Sequence, residues 1–408
     1  MKIRYAFLGV IFSCGIIFAQ GQTAVPFLLD VQSPLFYGAG GIGAAVPMQD
    51  PLGFYYNPAQ LGWYSRSHSL SVFFMPVKTT LFNSPTFNAA SGTFGFTLGY
   101  NFLSNGSNLP LSIGAGFIHN NISYNYSYII NYPDGNGGIY KSEDSYDCYS
   151  FGASYNYYVL FNAGFSLKSF NSNLAEPESN YNAAGTAFDF GAMVIAPFDD
   201  LFLKEDKIQL GGLVFSPVLK ASAGYSITNI GKKIYYVDPA QSDPIPRTAR
   251  LGYNINLGFN TKIAGTVLPV VDYSFTAEAE DMLVNDDSLG NVSYQGMFGN
   301  INIGNNLILL KPDKNVVVHK GHIFNFFKTL TVVSGSISAS NLLNVKTSGW
   351  AVSSEGLFKV LAGSISNPSL NYIFRHFGIE YYKSSISAGP LPNQEPSGFA
   401  LYFYGIDL

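Results

Sequence analysis

Charge is scarce in this chain. Lys, Arg, Asp and Glu together make up only 12% of its 408 residues, about half the share of an ordinary soluble domain. Cysteine is scarcer still, with only Cys14 and Cys148. Cys14 falls in a segment expected to be removed, so Cys148 has no partner and a disulfide scaffold is excluded. The net charge of −4 supplies no basic footprint, which excludes nucleic acid as a partner. Beyond the N-terminal segment no apolar run reaches the length a membrane-spanning helix needs, about 18 residues or more. What remains is an unusual soluble β-protein or a β-barrel of an outer membrane.

What is abundant favours the barrel. Aromatic residues reach 16%, with 28 Tyr and 34 Phe, and there are 42 glycines. At the N-terminus, Lys2 and Arg4 precede an apolar run over 5–18, and Ala19 before Gln20 offers a small-residue cleavage site. This is the pattern of a secretory signal peptide, residues 1–19. Cys14 does not make it a lipoprotein signal, because bulky Phe12 stands where a small residue is preferred.

The clearest strand lies in 247–260. Ala249, Leu251, Tyr253, Ile255, Leu257 and Phe259 fall on one side, and Arg250, Gly252, Asn254, Asn256, Gly258 and Asn260 on the other. Successive strand residues face opposite ways, so one face meets an apolar medium and the other a polar one. A charge at Tyr253 should then hinder membrane assembly, and one at Asn254 should not.

The same pattern recurs at Phe94, Phe96, Leu98 and Tyr100, at Ile122 to Ile130, and at Phe161, Ala163, Phe165 and Leu167. Further candidates lie near 68–76, 110–119, 145–156, 185–196, 207–229, 264–276, 291–303, 355–366, 369–386 and 397–408. Polar, turn-rich loops at 133–138, 176–180, 238–246 and 285–291 alternate with tight connections such as that at 156–158, as in outer-membrane barrels. At roughly 25 residues per strand and connector, the chain predicts about 14 strands, an even number, with the last closing on the first. From 304 to 350 the LILL, VVV and FNFF runs break the period.

Residues 20–67 differ. They are rich in Gly, Pro and Ala, lack long alternation, and could fold into the barrel as a luminal plug, leaving 68–408 as the barrel.

Several motifs resolve to bland readings. Gly38, Gly40 and Gly43 spell a dinucleotide fingerprint, but Pro47 and Pro51 deny it the helix it requires, so the glycines are read as close-packing positions. Asn57-Pro58-Ala59 reads as a helix or turn start with Asn57 as cap. His319 and His322 lie three apart, on opposite faces of a strand, which argues against a shared metal. The acids Glu143, Asp144 and Asp147, then Glu278, Glu280 and Asp281, and Asp286 with Asp287 read as solvated loop charge. Neither a nucleophile elbow nor zinc spacing is present. The expectation is a non-enzymatic protein without cofactor or metal.

The run over 24–62 resembles the opening of the PorV/PorQ family, itself related to FadL-type outer-membrane transporters, through Phe27, Leu28, Gly40, Gly41, Gly43, Asp50, Asn57, Pro58 and Ala59. A second stretch, from 188 to 253, is similar through Asn229, Ile230, Gly231, Lys233, Pro246, Leu251 and Gly252. The resemblance covers the first two thirds of the chain. It implies a 14-stranded barrel with an N-terminal segment in the lumen. For the PorV branch it implies a part in type IX protein secretion, as a cargo shuttle or accessory subunit, with the translocon, the attachment complex and exported cargo proteins as partners beside outer-membrane lipid. FadL-type relatives imply instead a transporter of hydrophobic small molecules, with a partly apolar lumen and Phe27, Phe36 and Phe54 as candidate linings.

Overall fold

The computed structural model describes residues 23–30, 33–84, 87–104, 107–128, 138–176, 181–204, 206–263, 265–286, 292–340, 344–387 and 394–405. The expected signal peptide lies outside them, as do most of the loops at 133–138 and 176–180.

Among the described residues, fourteen antiparallel strands close a barrel. In chain order they are β1 (His68–Ser84), β2 (Phe87–Asn101), β3 (Leu111–Tyr128), β4 (Gly138–Tyr157), β5 (Val159–Glu176), β6 (Asn182–Pro197), β8 (Leu213–Gly231), β9 (Thr248–Ile263), β10 (Thr266–Met282), β13 (Val316–Phe326), β14 (Leu330–Ser338), β15 (Val345–Ser353), β16 (Phe377–Ser387) and β17 (Ser397–Tyr404). Short β7 (Ile208–Leu210) pairs onto β8 outside the ring, and β11 (Val284–Asp286) and β12 (Val292–Tyr294) form a separate ribbon. The ring closes through β1 on β17, with His68 opposite Tyr404, and through β6 on β8. Closure leaves no sheet edge to be satisfied in lipid.

At one end the connections include the single residue Tyr158, held at φ 60°, and the three-residue link between β13 and β14. Short turns of this kind face the periplasm in outer-membrane barrels. The opposite end carries the long β8–β9 and β10–β13 connections.

The strands change character along their length. In β3, Ile113, Ala115 and Phe117 turn outward in the turn-end half while Ser112, Gly114 and Gly116 turn inward; further up, His119 turns outward and Ile118 and Ile122 are buried inside. One register row, Phe96, Phe117, Tyr149, Leu167 and Phe188, marks the change across five strands. Exposed Tyr155, Tyr157, Tyr158 and Phe161 mark the turn end. From Tyr149 to Tyr157 β4 covers the length that a tilted strand of about 9–11 residues needs to cross the hydrocarbon core. Above the Tyr149 row the outward side chains of β3 to β5 turn polar, as at His119, Asp147 and Asn171, while Ile118, Ile122 and Phe170 face in.

Several expected strands prove otherwise. Residues 355–366 and the first part of 369–386 form helices, Glu355–Ala362 and Pro368–His376, at the turn end. Phe358 stacks on Phe374 between them at 4.7 Å, and buried Glu355 pairs with Lys328 and Lys359. Their apolar residues fall at helical spacing, which short alternating windows misread. Of 291–303 only β12 is extended. The LILL run contributes to a π-helix, Ile303–Ile308, in a segment draped over the outer face of the wall, where Leu307 packs with Leu251, Tyr253 and Ala279.

Candidate functional site

Residues 24–30 and 33–65 run through the lumen and are almost wholly buried. Glycine lets them approach the wall. Gly99, Gly114, Gly152, Gly164 and Gly191 are successive register partners across β2 to β6. A Cβ on Gly114 would meet Ser65, one on Gly152 the Gly62 and Pro58 backbone, one on Gly164 the Pro58 carbonyl at 2.4 Å, and one on Gly191 Asn57. The row is where plug backbone lies directly on wall backbone.

Gly38, Gly40 and Gly43 pack in the same way. Gly40 has φ 91° and its missing Cβ would fall 2.4 Å from the Lys320 carbonyl, while Gly43 lies against the Tyr56 ring. These glycines open into a nest: the N–H groups of Gly43, Ala44 and Ala45 all donate to Glu278 of β10, at 2.8–3.0 Å. Gly252 gives the Glu278 stem its room, and its partner Gly224 lies against the Ala44 carbonyl. Beside the nest Arg250 pairs with Glu280 and donates to the Gly41 carbonyl, and His319 Nδ1 contacts the Gly40 carbonyl at 2.7 Å. The acids Glu278, Glu280 and Asp281, read from sequence as solvated loop charge, are therefore buried strand residues: Glu278 and Glu280 face the plug, while Asp281 turns outward and accepts from the Asn300 N–H of the segment draped over the wall. Glu143, Asp144 and Asp147 likewise lie within β4, where Asp144 is buried against Ser172 and Asp147 faces out toward His119. His322 contacts Tyr273 on the wall face opposite that of His319, so the two histidines do diverge.

Within the plug, Asp50 accepts from the Leu52 N–H at 2.8 Å and from the Ser33 hydroxyl. Burial pushes its carboxyl up to about 6 despite both bonds. Asn57 does not cap the helix Gln60–Tyr64, whose N-cap is Ala59. It accepts from the Ala59 N–H at 3.0 Å and donates to the Ala44 carbonyl at 2.6 Å, tying two passes of the plug together.

Asn229 lies at a bulge in β8 with φ 58°. Its N–H donates to Asp189 at 2.7 Å, its amide donates to the Pro246 carbonyl at 3.0 Å, and its side-chain oxygen accepts from Lys168 at 2.9 Å. Lys168 also pairs with Asp189 and lies over the Tyr55 ring at 4.2 Å. Asn229 and Pro246 are thus brought together, and the plug's Tyr55 with them. Ile230 and Leu251 face away, packed under outer segments.

Above this network an aromatic cluster lies among buried polar side chains that include Asn120, Asp144 and Ser172. Phe27 stacks on Tyr146 with centroids 6.4 Å apart and sets its edge on Phe170 at 6.5 Å, while Tyr55 stacks on Tyr146 at 5.4 Å. Ile118, Ile122, Ala183, Ala187, Ile234 and Ile245 complete the surrounding cluster. Phe27 enters it from a short 3-10 turn, Pro26–Leu29, beside Ala24, whose N–H donates to the Pro244 carbonyl. Leu28 is buried beside it, and its carbonyl accepts from the Tyr55 hydroxyl at 2.9 Å. Phe36 and Phe54 are buried deeper, Phe36 against Tyr56 at 4.9 Å and Phe54 against Gly116. Sequence reasoning missed Lys168, Tyr146 and Phe170. A lysine on the polar side of an otherwise apolar strand was the available signal.

No family model matches the sequence, and neither does any curated protein. Among solved structures, the chain is similar to the Pseudomonas putida toluene transporter TodX, with 10% identity over 93% of this chain and 98% of that one and a TM-score of 0.42. It is also similar to the CymD monoaromatic hydrocarbon channel, with 9% identity over 91% and 97% and a TM-score of 0.41. A Pseudomonas aeruginosa FadL homologue follows, with 9% identity over 94% and 98% and a TM-score of 0.35. At such identities and TM-scores these likenesses say nothing about what this chain carries. None of the three singles out the PorV/PorQ branch.

Proposed function

We propose that this chain is a non-enzymatic barrel of the outer membrane that passes apolar small molecules through its lumen, with the N-terminal plug as its gate. The observation that carries the proposal is the aromatic chamber around Phe27. Barrels that conduct water and ions present a polar interior. Here the chamber above the Tyr149 row is lined by Tyr146, Phe170, Ile118 and Ile122, and a ring of the plug fills it. A solute with an apolar ring would take the place of Phe27 between Tyr146 and Phe170, gaining the same contacts by the same loss of wetted surface. Displacing Phe27 pulls on the turn Pro26–Leu29 and, through the Leu28 carbonyl, on Tyr55 and the network around Lys168.

This reading takes the place of the secretion role implied by the PorV/PorQ resemblance, which has no feature of the lumen behind it. The test is uptake of labelled toluene by cells with the gene deleted, restored, or restored as Phe27→Ala. Uptake should fall on deletion and rise above the restored level in Phe27→Ala. Unchanged uptake on deletion would sink the proposal.

A further inference from the structure

On the outer face of the wall, behind the plug, lies a groove of about 740 Å³ lined by Leu98, Tyr100, Ile113, Phe151, Phe165 and Phe190 around small residues. Its floor is Ala153 and Ala163, which are register partners on β4 and β5. One rim is the Phe151–Phe165 pair, stacked at 5.4 Å and continued by Phe190; beyond the floor on the other side stands the Tyr155–Phe161 pair. We propose that this groove is a binding site for one acyl chain of an outer-membrane lipid.

Three observations fix the occupant. The groove lies in the lipid-facing band, between the Tyr149 row and the Tyr157 girdle, so hydrocarbon is what reaches it. Its lining holds no charged or amide side chain, and the Tyr100 hydroxyl is its one polar group, so recognition must be by shape and apolar contact. The rims are separated by only two steps of outward-facing residues, roughly 13 Å of strand from Cα to Cα before the rings narrow it. That leaves a slot for a single hydrocarbon chain, whereas a partner's helix is about 10 Å across with its side chains.

The wall behind the slot is preorganised. The glycines between rim and floor, Gly114, Gly152 and Gly164, bear on plug residues Leu61, Gly62 and Pro58, so the backbone there is packed from within. Little ordering is left to oppose binding. The groove and the plug seat are the two faces of one glycine row.

The test is lipid retention by the full-length chain, purified in detergent, supplied with a palmitoyl phosphatidylethanolamine and followed by native mass spectrometry. Ala153→Phe and Ala163→Phe fill the floor, while Ser348→Phe adds the same ring to the outward face of β15. Retention should fall roughly tenfold in either floor variant, the loss expected when about two methylenes lose their contact, and should hold in Ser348→Phe. As a second measurement, brominated acyl chains should quench Phe190→Trp more strongly than Leu257→Trp at limiting lipid. Equal retention by floor variants and wild type, equal loss in Ser348→Phe, equal quenching at both tryptophans, or a groove-dependent dimer in place of bound lipid would each overturn the proposal.

Discussion

Lys168 and Asp189 stand on adjacent strands and form an ion pair of 2.9 Å whose side chains are 1% and 0% exposed. Removing one partner of such a pair strands a buried charge, at about 3–5 kcal/mol, whereas removing both can be nearly neutral. Asp189→Leu should therefore lower the melting point of the barrel sharply, read as heat-modifiable mobility on gels. Lys168→Met with Asp189→Leu should recover most of the loss. A remainder of about 1–3 kcal/mol is expected, because the Asn229 N–H loses its acceptor. A double variant no better than the single would argue against the pair as the source.

Glu278 makes a second kind of prediction, because its partners are backbone groups of the plug alone. Glu278→Ala leaves the N–H groups of Gly43, Ala44 and Ala45 buried without an acceptor, each at about 1–3 kcal/mol. The barrel wall keeps its ladder, so the loss should fall on the plug. Limited proteolysis should then cut within 24–65 while the remaining barrel resists. Glu278→Gln keeps one acceptor oxygen and should be intermediate.

These anchors explain what was legible in the sequence. The barrel was, because strand alternation repeats and low charge marks the solvent. On β9, Ile255, Leu257 and Phe259 are exposed on the lipid side and Asn254 and Asn256 are buried inside, as the period requires. Ala249, Leu251 and Tyr253 on that face are covered by outer segments, Leu251 and Tyr253 by the one bearing Leu307, so Leu257 is the better site for a disruptive charge. Asn254 is 1% exposed and accepts from Thr276, so a charge there is costly too. In the last strand both residue series are apolar, and nothing local reveals that Tyr402 and Tyr404 turn inward while Phe399 and Leu401 face lipid. The site was far less legible. The Gly43 nest joins residues more than two hundred positions apart, and Glu278 looks like loop charge until the ring closes around it.

Asp50 supplies a pH signature. Burial raises its carboxyl to about 6, so the seated plug binds a proton that the released plug gives up above about 4. Below about 4 both states are protonated and there is no difference; as pH rises to 6 the seated state loses stability, and above 6 the loss is complete. Asp50→Asn removes this dependence while keeping an acceptor for Leu52. Protease cleavage of the plug, compared between wild type and Asp50→Asn from pH 4 to 7, should diverge over that window. Parallel profiles would place the titrating group elsewhere.

The glycine row gives the sharpest separation of plug from wall. A Cβ on Gly164 would fall 2.4 Å from both the carbonyl carbon and oxygen of Pro58, and backbone on both sides leaves no flexible side chain to yield. Overpacking of this kind costs about 1–3 kcal/mol or more. Because strand pairing between Gly164 and its neighbours needs only backbone, the wall should still assemble and the plug should be pushed from its seat. Gly164→Leu is expected to form heat-modifiable barrels that conduct ions in planar bilayers more often than wild type. Gly296→Ala, at a position with open space around it, should change neither property. Wild-type conductance from Gly164→Leu would mean that the plug can reseat around a side chain, and the close contact with Pro58 would then not be what holds the lumen shut.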